Sequence, residues 1–371
     1  MKMKEINMQD EFKQYPAVIK IVGVGGAGGN AVNRMIASDV KGVEFMSANT
    51  DAQALRSSKA GMKLQLGTNL TKGLGVGGDP ALGHQAAEED EDRIREVLVG
   101  SDMVFITAGM GGGTGTGAAP VIARIAKELG VLAVGVVTKP FVFEGKVRSR
   151  NAEQGISDLR ENLDTLIVIP NQKLFDVIDE TTTIDDAWER IDDVLRQSIQ
   201  SISDVITSTG LVNVDFNDVK AIMLNAGEAL MGMGESSGES RALRATELAM
   251  SSPLLEDVTI EGARGVLVNI TGSKNLTMHE INDAMTLIYN SVSSEANVYF
   301  GQVIDETMGD RIKITIIATN FDRPKIAQMK VQQEEKKVVP EQQDLFDYKQ
   351  KDRMNLELNL EEPAFLRKNK K

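Results

Sequence analysis

The sequence of 371 residues has no cysteine and only two histidines. Without cysteine there is no disulfide and no thiolate metal ligand, which fits the reducing cytoplasm. Two histidines disfavour a histidine-based zinc site or a catalytic triad. We therefore expect chemistry that depends on neither thiols nor imidazoles.

The chain also has few aromatic residues (4%) and a formal net charge of −13. Nucleic-acid binding needs cationic surface, and unpaired bases stack on aromatic side chains, so this composition argues against nucleic acid as a partner. No apolar run reaches the roughly 20 residues of a membrane span. No apolar core follows the charged N-terminus, as it would in a signal peptide. We expect a cytoplasmic protein without direct membrane insertion.

Glycine, by contrast, is abundant, and its densest stretch is Gly109–Gly117. The apolar run Met103–Ala108 before it predicts a buried strand, and a helix is predicted from Ala118, with Pro120 in its first turn. Backbone N–H groups of such a turn can face one concavity in front of a helix N-terminus and hold a phosphate. The hydroxyls of Thr114 and Thr116 would add donors, although a flexible surface loop is the simpler alternative.

A second strand–glycine–helix unit precedes it. Ala17–Val24 predicts the strand and Ala31–Ile36 opens the helix. The glycines between them fit G-x-G-x-x-G, and Glu44 follows about 20 residues later, as in dinucleotide-binding proteins. This pattern leaves open an NAD-dependent oxidoreductase that uses Gly23–Gly28.

Further apolar runs predict parallel strands at 43–48, 131–137 and 166–169. Together the strands indicate a doubly wound α/β domain with its binding loops at the C-terminal strand edges. The glycine-rich segment 73–80 is either a third binding segment or a plain connection. Residues 86–98 predict one amphipathic helix, with 88–92 on its solvated face.

A long central helix is predicted from a cap at Thr183–Asp186 to Gly210. Its apolar stripe is interpreted as core: Ile184, Trp188, Ile191, Leu195, Ile199, Ile202 and Ile206. Asp192 and Asp193 interrupt the stripe, either as exposed residues or facing a ligand. Asp215 and Asp218 precede the next helix, where they can cap it or orient a water or cation.

A second, smaller α/β domain is predicted from strands at 265–270, 297–302 and 311–318, with a helix capped at Thr277–Glu280. Gly232–Gly238 is interpreted as a flexible connector. Beyond residue 322 the composition predicts a disordered linker, and the apolar–basic end of the chain indicates a peptide that docks onto a partner.

The chain lacks the P-loop motif G-x-x-x-x-G-K-[ST], and two glycine cradles exceed what a dehydrogenase needs. Gly111–Gly117 instead resembles the signature of the tubulin/FtsZ GTPases, and the shorter chain with its tail resembles the bacterial FtsZ branch. The resemblance covers residues 15–322. Its other matching segments are Gly25–Asn30, Asn49–Asp51, Phe143–Gly145 with Arg148, Ile169–Asn171, Asn213–Val219 and the tail around Pro363–Lys368.

The resemblance implies a Rossmann-like GTPase domain, a central helix, a C-terminal α/β domain, a disordered linker and a docking tail. The expected boundaries are 1–14 for a flexible N-terminus, 15–182 for GTP binding, 183–209 for the central helix, 210–322 for the C-terminal domain, 323–355 for the linker and 356–371 for the peptide.

The resemblance also implies roles for individual positions. Gly73–Asp79 would sense the γ-phosphate, and Asp215 and Asp218 would act on the nucleotide of the next subunit. GTP or GDP would be bound by Gly26, Ala27, Gly28, Gly29, Asn30, Asn49, Gly113, Thr114, Gly115, Thr116, Glu144, Arg148, Asn171 and Asp192. Asn171 and Asp192 would read guanine. Mg²⁺ would be held mainly by the nucleotide, with no dedicated protein ligand.

The expected function is therefore a GTPase that polymerises head to tail and forms the bacterial division ring at midcell. The tail would bind division proteins, including an actin-like membrane tether, through Pro363, Phe365, Leu366, Arg367 and Lys368. The alternatives are the NAD-dependent oxidoreductase and a structural filament protein that does not hydrolyse nucleotide. No role is assigned to Trp188, and Gln172 stands where the family often has an aspartate.

Overall fold

The structure is a computed structural model that describes residues 17–177, 182–207, 214–255 and 260–321. Its strands are β1 Ile19–Val24, β2 Glu44–Asn49, β3 Met62–Gln65, β4 Met103–Gly109, β5 Leu132–Lys139, β6 Thr165–Pro170, β7 Gly227–Ser237, β8 Gly265–Gly272, β9 Asn297–Ile304 and β10 Arg311–Thr319. Its α-helices are α1 Gly25–Ala37, α2 Ala52–Ser57, α3 Thr68–Thr71, α4 Pro80–Glu89, α5 Glu91–Leu98, α6 Thr114–Glu128, α7 Lys146–Asn162, α8 Ile184–Thr207, α9 Phe216–Met223, α10 Arg241–Met250 and α11 Met278–Tyr289.

The strands form one sheet in the order β3-β2-β1-β4-β5-β6-β7-β10-β8-β9. β1 to β6 are parallel, and β7 continues the sheet by pairing parallel with β6. β10 runs antiparallel to β7 and β8. The expected α/β class, with a doubly wound first half and a smaller second half, is confirmed.

Two apolar cores cover the faces of the parallel half, which explains its nearly continuous hydrophobic strands. In one core, α1 and α8 pack against the sheet. In the other core, the four helices α4, α5, α6 and α7 pack against it. A third core lies between α10, α11 and the strands of the second half.

The central helix α8 is confirmed, with Ile191, Leu195 and Ile199 buried along one stripe. Its cap is also present, because Asp186 N donates to Thr183 Oγ1 at 3.2 Å. The interpretation of Trp188 as core is wrong: this side chain is 40% exposed. The predicted end at Gly210 lies outside the described residues, as do the segments 1–14, 323–355 and 356–371.

Gly232–Gly238 is not a flexible connector, because Gly232 to Ser237 belong to strand β7. The glycines there allow helix α10 to approach the strand. A Cβ at Gly232 would lie 2.0 Å from Ala249 O, and one at Gly234 would lie 2.0 Å from Ala245 O. Dense glycine in this segment therefore reflects close packing of a helix on a strand.

Residues 86–98 do not form one helix, because α4 ends and α5 begins on either side of Asp90. The prediction placed Asp90 on a solvated face, but it is buried. Its carboxylate accepts from Gly67 N at 2.7 Å and pairs with Arg93. The break in the helix lets this carboxylate accept the hydrogen bond of the backbone N–H at Gly67 in the neighbouring loop. In the described part of the chain, no helix is long and apolar enough to cross a membrane.

Candidate nucleotide-binding site

The two glycine-rich turns meet where the strand order reverses, between the adjacent strands β1 and β4. Open α/β sheets bind ligands at this switch point, beyond the C-terminal strand ends. The turns are in direct contact, since a Cβ at Gly25 would lie 2.9 Å from Gly115 N. Gly25 also has a φ of +72°, which favours glycine.

A cavity of about 540 Å³ opens at this point. Its walls come from the loops after β1, β2, β4, β5 and β6, from the segment Leu74–Gly78 and from the starts of α2, α7 and α8. The lining residues are Val24, Gly26, Ala27, Asn49, Thr50, Asp51, Ala54, Leu74, Gly75, Val76, Gly77, Gly78, Gly109, Met110, Gly112, Gly113, Thr114, Gly115, Thr138, Pro140, Glu144, Arg148, Asn171 and Trp188.

Helices α1 and α6 both begin at this cavity, and each begins at an earlier residue than the sequence predicted. α1 starts at Gly25 instead of Ala31, and α6 starts at Thr114, so Pro120 lies inside the helix and not in its first turn. Helix α1 has no side-chain cap at Val24, and α6 has none at Gly113. Their first-turn N–H groups and dipoles suit an anionic ligand. Some glycines that the sequence assigned to the turns, such as Gly25 and Gly26 in α1 and Gly115 and Gly117 in α6, are therefore helical.

The predicted phosphate residues of α1 divide into two groups. Gly26 and Ala27 line the cavity. Gly28 is buried, and its Cβ would lie 2.3 Å from Thr107 O, so this glycine packs α1 against β4. Gly29 and Asn30 are not among the residues that line the cavity.

At the second turn, three of the residues predicted to bind the nucleotide line the cavity: Gly113, Thr114 and Gly115. Thr114 Oγ1 lies 2.7 Å from Thr50 Oγ1, which joins this turn to the end of β2 beside Asn49. Thr116 is buried outside the lining, and its hydroxyl accepts from Gly111 N at 2.9 Å.

The third glycine-rich segment also contributes, because Leu74–Gly78 line the cavity. Gly75, Gly77 and Gly78 all have positive φ, which explains the glycines in this loop. The loop touches the second turn: a Cβ at Gly113 would lie 2.4 Å from Val76 Cγ2. The segment is therefore part of the cavity wall and not a plain connection.

The opposite wall carries Glu144, Arg148 and Asn171. Glu144 Oε1 accepts from Phe141 N at 2.9 Å, and its other oxygen pairs with Arg148. Asn171 is 2% exposed, and its Oδ1 has no hydrogen-bond partner within the described structure. A buried amide oxygen without a partner is costly and fits a ligand that donates a hydrogen bond. Gln172, next to it, accepts from Val142 N at 3.2 Å.

Trp188 of α8 completes the lining on this side, and sequence reasoning missed it. Its ring lies edge-on to Phe141, with centroids 5.5 Å apart. Asp192, predicted to read guanine, is not among the described residues that line the cavity. It follows Trp188 by four residues and therefore shares its helix face, one turn further along α8. The spacing of Trp188 and Asp192 was the available signal. Burial raises the pKa of Asp192 to about 6, although Arg34 lowers it.

Asp215 and Asp218 are not among the described residues that line this cavity. Asp215 is the N-cap of α9, and its Oδ1 accepts from Asp218 N at 2.9 Å. The capping geometry that the sequence allowed is therefore present. It does not test the role in the next subunit.

The dinucleotide interpretation fails at Glu44. This residue begins β2 and lies 3.7 Å from Lys20 Nζ, whereas the cavity is lined by Asn49 at the other end of the strand. Five residues of strand separate the two positions by about 16 Å. Glu44 therefore lies too far away to contact a ribose in the cavity.

The described residues that line the cavity include three charged side chains, those of Asp51, Glu144 and Arg148. Among the described residues, Arg148 is the one cationic side chain that lines the cavity. The described residues also include no group of three or more His, Cys, Asp or Glu side chains placed to hold a metal ion.

This fold and site define a nucleotide-binding protein of the tubulin type, and comparison with known families agrees. Residues 18–179 match the Tubulin/FtsZ family, GTPase domain, and residues 227–322 match the FtsZ family, C-terminal domain. The chain belongs to the FtsZ family. Membership supports GTP binding, GTP hydrolysis and filament formation in general.

Solved structures show the same likeness. A structure described as an empty FtsZ dimer from M. jannaschii is 44% identical, with a TM-score of 0.80, and the match covers 83% of this chain and 89% of that one. An FtsZ mutant from M. jannaschii is 43% identical, with a TM-score of 0.80, over 82% and 92% of the two chains. CetZ1 from Haloferax volcanii shares the fold at 21% identity, with a TM-score of 0.70, over 82% and 95%.

Proposed function

We propose that the cavity binds GTP with its phosphates at the N-termini of α1 and α6 and its base against Asn171, Trp188 and Asp192. The observation that carries this proposal is the pair of uncapped helix N-termini at one cavity. Gly26, Ala27 and Gly113–Gly115 would hold the phosphates, Leu74–Gly78 would face the γ-phosphate, and Glu144 and Arg148 would lie by the ribose.

Guanine is the preferred base because it offers N1–H and N2–H₂ as neighbouring donors. An ionised Asp192 has acceptors only, and Asn171 Oδ1 is a buried acceptor without a partner in the described structure. Adenine places an acceptor at N1 and would meet these oxygens poorly. Mg²⁺ bound to the nucleotide would neutralise phosphate charge.

We place hydrolysis at the junction between two subunits. Asp215 and Asp218 lie outside the cavity of their own chain, so they would reach the nucleotide only in another copy. Their carboxylates would orient and polarise the attacking water. A head-to-tail contact of this kind does not close on itself and generates filaments. The relative described as an FtsZ dimer supports self-association.

Asp215→Asn tests this role without removing the helix cap, because asparagine caps helices as well as aspartate does. We expect unchanged thermal stability and unchanged GDP binding, reported by the fluorescence of Trp188, the single tryptophan. Steady-state phosphate release from GTP should fall about a hundredfold or more. Asp215→Ala should lose the same activity and also about 1 kcal/mol of stability.

Mixing two inactive variants tests the shared site directly. One carries Asp215→Asn with Asp218→Asn, and the other carries Ala27→Glu, whose carboxylate would repel phosphates. Each should be inactive alone, and the mixture should recover phosphate release. Full activity of the double aspartate variant alone, or no recovery on mixing, would contradict a site built from two subunits.

The family relationship also supports a cellular role. We propose that the filaments form the division ring at midcell in the cytoplasm. We also propose that the domains of each chain have the boundaries expected from the sequence.

Residues 356–371 would bind an actin-like tether and other division proteins through Pro363–Lys368. Deleting residues from Leu356 onward should preserve filament formation in a light-scattering assay and abolish partner binding. Unchanged partner binding would rule the tail out.

A further inference from the structure

A cluster of charged groups lies where α1 packs on α8, beside Trp188, which lines the cavity. Arg34 of α1 reaches across to Glu189 of α8, with Nη2 3.3 Å from Oε1. Glu189 adjoins Trp188, and Asp192 lies one turn further along α8. Arg34 is nine residues from Gly25 at the start of α1, or about 14 Å along the helix.

Asp192 serves guanine recognition only when it is ionised. A protonated carboxyl would direct a hydrogen at guanine N1–H, a donor, and so lose one of the two contacts. Its partial burial disfavours the charge and raises its pKa to about 6. Arg34 opposes this rise as a nearby positive charge, and Glu189 adds to it as a nearby negative charge.

The surroundings offer Asp192 little other compensation. Among the described elements that pack on α8, β8 and β9 contain no charged residue, β5 contains Lys139, and α1 contains Arg34. The segment at Phe141, which contacts Trp188, carries Glu144, and this carboxylate is paired with Arg148. On α8 itself, Asp193 is engaged by Arg196 and Gln197. The other charged residues in this part of α8 are Asp185, Asp186, Glu189, Arg190 and Arg196. Arg34 is the cation whose field lowers the pKa of Asp192.

We propose that Arg34 is a positioning residue for base specificity: held by Glu189, it keeps Asp192 as the carboxylate that accepts from guanine N1–H and N2–H₂. This inference rests on the proposed binding of guanine beside Asp192. It assigns Arg34 a role at the far end of α1 from the phosphates.

The test is a set of GDP titrations between about pH 5 and pH 8, followed by Trp188 fluorescence, in wild type, Arg34→Gln, Arg34→Lys and Asp192→Asn. GDP avoids assembly and hydrolysis. Arg95→Gln is the matched control, since Arg95 is a similarly exposed arginine that pairs with Glu128 between two other helices. The terminal phosphate also titrates near pH 6, so only differences between variants at one pH are compared.

Wild-type affinity should fall as the pH drops through about 6. In Arg34→Gln the midpoint of this fall should rise by about half a pH unit or more, which weakens GDP binding roughly threefold at about pH 5.5. Discrimination of GDP against ADP should fall in parallel. Arg34→Lys should restore the wild-type midpoint, because it restores the charge, and Arg95→Gln should match wild type.

Asp192→Asn separates this inference from the proposal on which it rests. Asparagine presents one acceptor and one donor, which match N1–H and the C2 carbonyl of xanthine. The variant should lose GDP affinity and gain affinity for xanthosine diphosphate. If it binds GDP like wild type, the base does not lie beside Asp192. If it loses GDP but Arg34→Gln leaves the pH midpoint unchanged, the role of Arg34 is wrong.

Discussion

Replacement of Gly28 by alanine should destabilise the fold, whereas replacement of its neighbour Gly29 should not. Both glycines lie near the start of α1, and both were expected to hold phosphate. A Cβ at Gly28 would lie 2.3 Å from Thr107 O and 3.0 Å from Gly23 C. A Cβ at Gly29 would have no neighbour within 4 Å. The pair therefore isolates the packing of α1 on the sheet.

The magnitude follows from the overlap. Real Cβ atoms essentially never approach closer than 3.0 Å, so Gly28→Ala must move α1 or β4 by about 0.7 Å or more. Backbone lies on both sides, so no side chain can rotate away. Such overpacking costs about 1–3 kcal/mol, against a gain of up to about 1 kcal/mol for alanine in a helix. We expect a net loss of about 1–2 kcal/mol.

Thermal unfolding followed by circular dichroism measures both variants. For a domain of this size, where 1 kcal/mol shifts Tm by about 2–4 °C, Gly28→Ala should lower Tm by about 2–8 °C. Gly29→Ala should unfold at the wild-type temperature or slightly above it, because alanine favours the helix. Equal Tm values for Gly28→Ala and wild type would refute the assignment of Gly28 to packing.

Two further stability predictions follow from charged side chains. Arg241 is 5% exposed and bonds to Glu280 at 2.6 Å and Asp310 Oδ1 at 3.0 Å, so Arg241→Met should cost about 3 kcal/mol or more in urea unfolding. Exposed Arg244 on the same helix is the control, and its replacement by methionine should cost less than about 1 kcal/mol. Similar losses in both variants would refute a stabilising role for the bonds of Arg241 to Glu280 and Asp310. Burial raises the pKa of Asp204 to about 6 from its ordinary 3.8, so wild type should lose up to about 3 kcal/mol of stability as the pH rises through this window. Asp204→Asn should lack this loss, and an unchanged pH profile would contradict the burial of the charge.

The buried parallel strands were predictable because their signal is local. β1, β4, β5 and β6 are short apolar runs bounded by glycine or polar residues, and each formed where expected. The failures depended on partners distant in sequence. The role of Gly232 depends on Ala249, and the break at Asp90 depends on Gly67. No local pattern shows which helix will pack on a glycine.

The site was predictable to the level of its loops but not of every side chain. Glycine-rich turns at strand ends indicate a cradle, yet the sequence does not distinguish Gly26, which lines the cavity, from Gly28, which packs against β4. Trp188 fitted the apolar stripe of α8, but the stripe begins before the helix reaches the core. The start of a long helix can therefore belong to a site while its middle belongs to the core.

The measurement that tests the central claim most directly is phosphate release from GTP as a function of protein concentration. A site completed by Asp215 and Asp218 of another subunit predicts a threshold concentration, above which activity per molecule rises as filaments form. Activity per molecule that stays constant across the range would mean that each chain hydrolyses GTP alone, and it would contradict the shared site.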